Sequence, residues 1–148
     1  MRKEFVMRGQ TASGGQEVLN FGKYKQGYAY KLTEFQIYPS TNIGNAQEEI
    51  TGSITASKTA MNPINPNFND DGLIATTFSS IYNSAYQAGE LTVINDTFLI
   101  TQNIILMVQA GAGSPDTPIN WQCKFKSVKM TGAEEAAVNY KQFAISDE

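Results

Sequence analysis

Hydrophobic and polar residues alternate with period two over several short stretches, as they do in strands whose side chains point to opposite faces. After Gly27, the residues Tyr28, Tyr30 and Leu32 share one face. Phe35 and Ile37 then continue on the opposite parity. That switch predicts a bulge near Thr33 and Glu34, or a strand buried on both faces. Pro39 and Ser40 end the segment. From Glu48 to Ser57 the alternation is cleaner, with Ile50, Ile54 and Ala56 facing one way and Thr51, Ser53 and Thr55 the other. This pattern predicts a half-exposed strand.

The stretch from Ala60 to about Gly72 carries Pro63, Pro66 and Asn-Pro pairs at Asn62 and Asn65, so it predicts a long irregular connection. Loops of this length often carry function. Leu73 to Gln87 mixes small, aromatic and β-branched residues and predicts no single element. Leu91 to Ile94, Thr97 to Thr101 and Asn103 to Gln109 read as strands, with a tight turn at Asn95-Asp96. Gly111 to Pro118 is turn-rich. Ile119 to Met130 reads as a long strand with Trp121, Cys123 and Phe125 inward and Gln122, Lys124 and Lys126 outward. Val128 and Met130 change parity, which predicts a second bulge. Thr131-Gly132-Ala133-Glu134 has the form of a capping box, and predicts one short helix to about Tyr140. Gln142 to Ile145 then reads as an added edge strand. The fold expected is mainly β, a single domain over 1–148: an antiparallel β-sandwich, with the jelly roll as one form of it, and one short helix near the C-terminus.

Composition narrows the chemistry. The chain contains no histidine, which removes the commonest general base and metal ligand. Cys123 is the only cysteine, so neither an intrachain disulfide nor a cysteine/histidine zinc site can form. Its place between Trp121 and Phe125 suits a small buried hydrophobe in a reducing compartment. With a net charge of -3 and scattered basic residues, direct nucleic-acid binding is not expected. Met1 to Gln10 has no signal-like apolar run, and no stretch approaches the roughly 20 apolar residues of a membrane helix.

No catalytic, cofactor or metal motif emerges. Glu48 and Glu49 are adjacent on a strand and so point to opposite faces, reading as a solvated strand start rather than a catalytic pair. Glu134 and Glu135 suit the first turn of a helix. Asn67 to Gly72 resembles part of a calcium loop, but the first ligand position is Asn67 and the twelfth is Phe78. The reading preferred there is an Asx-rich turn. Gly111-Ala112-Gly113 leads to proline and a strand rather than a helix, so it is a hairpin loop. The sequon at Asn95-Asp96-Thr97 reads as a turn. Candidate interface residues are the aromatics Tyr24, Tyr28, Tyr30, Tyr38, Phe68, Tyr82 and Tyr86, since such side chains pair an apolar body with large contact area.

Four passages carry a resemblance as a set: residues 27–35 (GYAYKLTEF), 65–70 (NPNFND), 94–98 (INDTF), and the late segment from Asn120-Trp121-Gln122-Cys123 through Asn139-Tyr140-Lys141. Together they resemble small virion structural proteins of marine bacteriophages and other marine viruses. The resemblance implies a virion protein, assembled in host cytoplasm from copies of itself and other virion proteins, with no cofactor. It implies a capsid shell or capsid-decorating subunit, with a tail-tube subunit as the alternative. A carbohydrate- or receptor-binding β-sandwich using Tyr82 and Tyr86 is the competing class. Assembly would use strand edges and the long Asn/Pro loop.

Overall fold

The computed structural model describes residues 4–21, 27–40, 47–82, 87–111 and 117–146. Among them, eight strands precede one helix: β1 (Glu4–Thr11), β2 (Gln16–Leu19), β3 (Tyr28–Pro39), β4 (Gln47–Thr55), β5 (Leu73–Tyr82), β6 (Gln87–Ile94), β7 (Ile104–Ala110), β8 (Ile119–Lys129) and α1 (Gly132–Ser146). They form two antiparallel sheets, ordered β1-β8-β3 and β2-β7-β4-β5-β6. The fold is therefore mainly β, with two sheets sharing one core. That core draws Leu32, Phe35, Ile37, Trp121 and Phe125 from the smaller sheet and Ile50, Ile54, Ala75, Leu106 and Val108 from the larger.

The parity switch in β3 is a bulge. Leu32 pairs with Phe125 and Glu34 with Lys124, leaving Thr33 as the extra residue, whose hydroxyl donates to the Lys124 carbonyl at 3.1 Å. One inserted residue lets both Leu32 and Phe35 face inward, and both are fully buried. The sheets approach closely over Gly52. A Cβ there would lie 3.0 Å from Phe35 Cζ and 3.3 Å from Ile37 Cγ2. In the smaller sheet, Gly9 pairs with Trp121, and the indole occupies the space a side chain at Gly9 would need. At the other end, Phe5, Phe21, Tyr30 and Phe125 form an aromatic cluster with centroids 5.1–6.3 Å apart.

Several expectations are corrected. β4 is not half-exposed: Ser53 and Thr55, on its outer face, are buried. The 56–72 connection folds back over them, so that Ser53 Oγ donates to the Met61 carbonyl at 2.6 Å and Thr55 Oγ1 to the Gly72 carbonyl at 3.0 Å. Thr97 to Thr101 is not a strand paired with its predecessor. The Asn95 side chain accepts from Thr97 N and Thr97 Oγ1, which turns the chain out of the larger sheet. Ile100 then makes a two-bond bridge with Tyr30 on the free side of β3, at 2.9 and 2.8 Å. The apolar residues Phe98 and Ile100 are buried because the segment crosses the core.

β8 shows no second bulge. Its pairing with β3 runs unshifted from Lys126 to Lys129, and Met130 lies beyond the strand with its N–H donating to the Gly27 carbonyl at 2.7 Å. The capping box is present: Glu134 N donates to Thr131 Oγ1 at 3.2 Å and Thr131 N to Glu134 Oε1 at 3.4 Å. The helix it starts passes Tyr140 and ends at Ser146, so Gln142 to Ile145 is helical rather than an edge strand. Ile145 packs into the core, which supports the extra turns. No described helix is long and apolar enough to cross a membrane. The strands β1, β2 and β5 and the first half of β6 have no counterpart in the sequence expectations. β1 sits on an edge with Val6 outward, so its alternation is weak.

Candidate interaction surfaces

The outer faces of the two sheets differ in chemistry. On the larger sheet, the register sets Thr51 beside Phe78 and Phe78 beside Leu91, while Ser53 lies beside Thr76 and Thr76 beside Val93. Phe78, Leu91 and Val93 all project outward and are exposed, Leu91 by 68%. The 56–72 connection forms a wall beside them, bringing exposed Ile64 and Phe68 to the same side. Pro63 and Pro66 complete an apolar groove of about 420 Å³. Glu49 and Gly111 stand at its rim. β6 is the edge strand of this sheet, so its outer row of backbone groups has no partner strand among the described residues.

The outer face of the smaller sheet is polar. Arg8, Gln122 and Gln36 are in register across three strands, and Gln10, Asn120 and Tyr38 form the next row. Arg8 donates to Gln122 Oε1 through Nε at 3.0 Å and again through its terminal nitrogen. Gln10 donates to Asn120 Oδ1 at 2.9 Å, and Lys124 pairs with Glu4 at 3.6 Å. Tyr38 is 58% exposed. Arg8, Gln36, Tyr38, Asn120 and Gln122, with Gly9, Ile37 and Trp121 between them and Glu90 of β6, line an open groove of about 710 Å³.

The candidate aromatics do not gather into one surface. Phe68 lies on the apolar groove and Tyr38 on the polar one. Tyr30 is half-buried in the aromatic cluster, and Tyr28 is half-buried at the start of β3. Tyr24 and Tyr86 lie outside the described residues, as does the side chain of Tyr82. Sequence reading missed Phe78, Leu91 and Val93 as surface groups. Their alternation with Thr77, Thr92 and Ile94 was visible, but alternation does not say which face is covered.

Glu48 and Glu49 do face opposite ways, yet Glu48 is not solvated. It lies on the inward side with Ile50 and is only 3% exposed, because the second sheet covers that face. Asn67 to Gly72 is a pair of Asx turns, in which Asn67 Oδ1 accepts from Asn69 N at 3.0 Å and Asp70 Oδ1 from Gly72 N at 2.8 Å. No group of three acidic, cysteine or histidine residues able to hold a metal occurs among the described residues. Cys123 is buried, and desolvation pushes its thiol pKa far up, away from the reactive thiolate. Comparison with protein-family models and with curated proteins yields no match.

Proposed function

We propose that this chain is a non-enzymatic structural subunit of a virus particle, a shell or shell-decorating protein that assembles with copies of itself and with other virion proteins. The observation that carries the reading is the apolar face of Ile64, Phe68, Phe78, Leu91 and Val93, with Glu49 at its rim, beside an edge of β6 that has no partner strand among the described residues. Contiguous exposed apolar surface at a free sheet edge is costly in isolation and is the usual mark of a protein contact. The occupant proposed is a second copy of this chain. An antiparallel β6–β6 pair about a two-fold axis is self-complementary, and the apolar residues at the centre of the face carry no charge to repel their mates.

Pairing order supports the same reading. β1 pairs with β8, β2 with β7 and β4 with β5, while β3 bridges to Ile100 just after β6. These nested pairs follow the order of a jelly roll, an architecture shared by viral shells and lectins. In that reading the sixth strand is divided between β6, which stays in the larger sheet, and the Ile100 bridge. The acidic balance favours the outer side of a shell over a genome-facing layer.

The test is light scattering on the purified chain with negative-stain microscopy of the same sample, repeated for Leu91→Glu. Oligomers or cages that fall to monomer in Leu91→Glu are the expected result, since an unpaired carboxylate buried in an interface costs several kcal/mol. Stacked rings would assign the tail-tube role instead. A wild-type chain that stays monomeric and binds no particle would overturn the proposal.

A further inference from the structure

The polar groove on the smaller sheet meets the proposed assembly strand only at Glu90 of β6, and has a chemistry of its own. We infer that it is a binding site for neutral oligosaccharides, with Tyr38 as the stacking platform and Arg8, Gln36, Gln122 and Glu90 as the hydrogen-bonding groups. Neighbouring strands lie about 4.8 Å apart, and alternate residues on one face about 6.8 Å apart. Two rows across three strands therefore present a flat platform of roughly 10 Å by 7 Å, the footprint of one or two sugar rings.

The donors and acceptors on this platform are ordered rather than loose. Arginine can only donate, so the bond from Arg8 fixes Gln122 with its oxygen toward the guanidinium. The Gln122 amino group is then the end turned to a ligand, next to Gln36 in the same row. Hydroxyl pairs on a sugar both donate and accept, and this set offers both. The exposed ring of Tyr38 gives the apolar face that a pyranose covers. Among the described residues, Arg8 and Glu90 are the ionised groups lining the groove and they cancel, which favours a neutral ligand over an anionic one.

The experiment is a screen of the full chain against an array of neutral and acidic oligosaccharides. Saturation-transfer NMR with the best neutral hit in solution then follows. Neutral glycans are expected to bind. Tyr38→Ala should weaken binding by about tenfold or more, Gln36→Ala less, and Tyr38→Phe should retain most of it. Retention of acidic glycans alone, no retention of any, or undiminished binding by Tyr38→Ala would overturn the inference. Phe68→Glu, on the 56–72 connection and outside the groove lining, should keep its per-site affinity even when assembly is lost, so the two proposals fail separately.

Discussion

Gly9→Ala is the sharpest test of how the first strand is placed. The added Cβ would lie 2.8 Å from Trp121 Cζ2 and 3.1 Å from Cε2. Carbon atoms sit best at about 3.5 Å or more, so the indole would have to retreat by roughly 0.7 Å. It is not free to do so. Trp121 is buried, and its Nε1 donates to Thr11 Oγ1 at 2.9 Å, two residue pairs along the same ladder. Overpacking of this kind costs about 2 kcal/mol, and a stretched buried hydrogen bond about 1 kcal/mol more. The loss of chain entropy in the unfolded state returns about 0.7 kcal/mol. The backbone contributes no further strain, because Gly9 is not among the positive-φ glycines.

A net loss of about 2 kcal/mol lowers the melting temperature by roughly 4–8 °C for a chain of this size. Thermal unfolding at fixed protein concentration, followed by circular dichroism and by the fluorescence of the single tryptophan, reads the effect. Trp121→Phe removes the ring atoms that clash, so Gly9→Ala should cost at least about 1 kcal/mol less in that background. A Gly9→Ala variant as stable as wild type, or a cycle with no coupling, would refute the placement of β1 against β8.

Two further outcomes follow from buried groups. Ser53→Ala and Thr55→Val each remove a bond that ties the 56–72 connection to β4, at about 1 kcal/mol apiece, and limited proteolysis within that connection should accelerate. An unchanged digestion pattern would show that the connection is held by other contacts. Burial raises the Cys123 pKa, so the folded chain keeps its thiol proton while the unfolded chain loses it above about pH 8.5. The thiol's contribution is thus fully present below that pH, and declines above it by up to about 1.4 kcal/mol per pH unit. Denaturation midpoints from about pH 7 to about pH 10 should fall less steeply for Cys123→Ala, and equal slopes would contradict the burial.

Much of the architecture was legible along the chain because local rules dictate it. The inward row of Trp121, Cys123 and Phe125, the bulge at Thr33 and the capping box at Thr131 and Glu134 each arise from neighbours a few residues apart. The absence of histidine and the single cysteine likewise bounded the chemistry before any fold was known. What escaped the sequence depends on coverage by distant segments. Ser53 and Thr55 are polar and look outward, yet a connection that returns from Met61 and Gly72 buries them. Leu91 and Val93 are apolar and look inward, yet β6 runs along an edge where nothing described lies over them. Ile100 belongs to neither neighbouring strand, because its partner Tyr30 lies 70 positions earlier. The polar platform has the same origin, since Arg8, Gln36 and Gln122 meet only when the first, third and last strands pair. Alternation determines which residues share a face; only the packing of one sheet on another decides which face meets water.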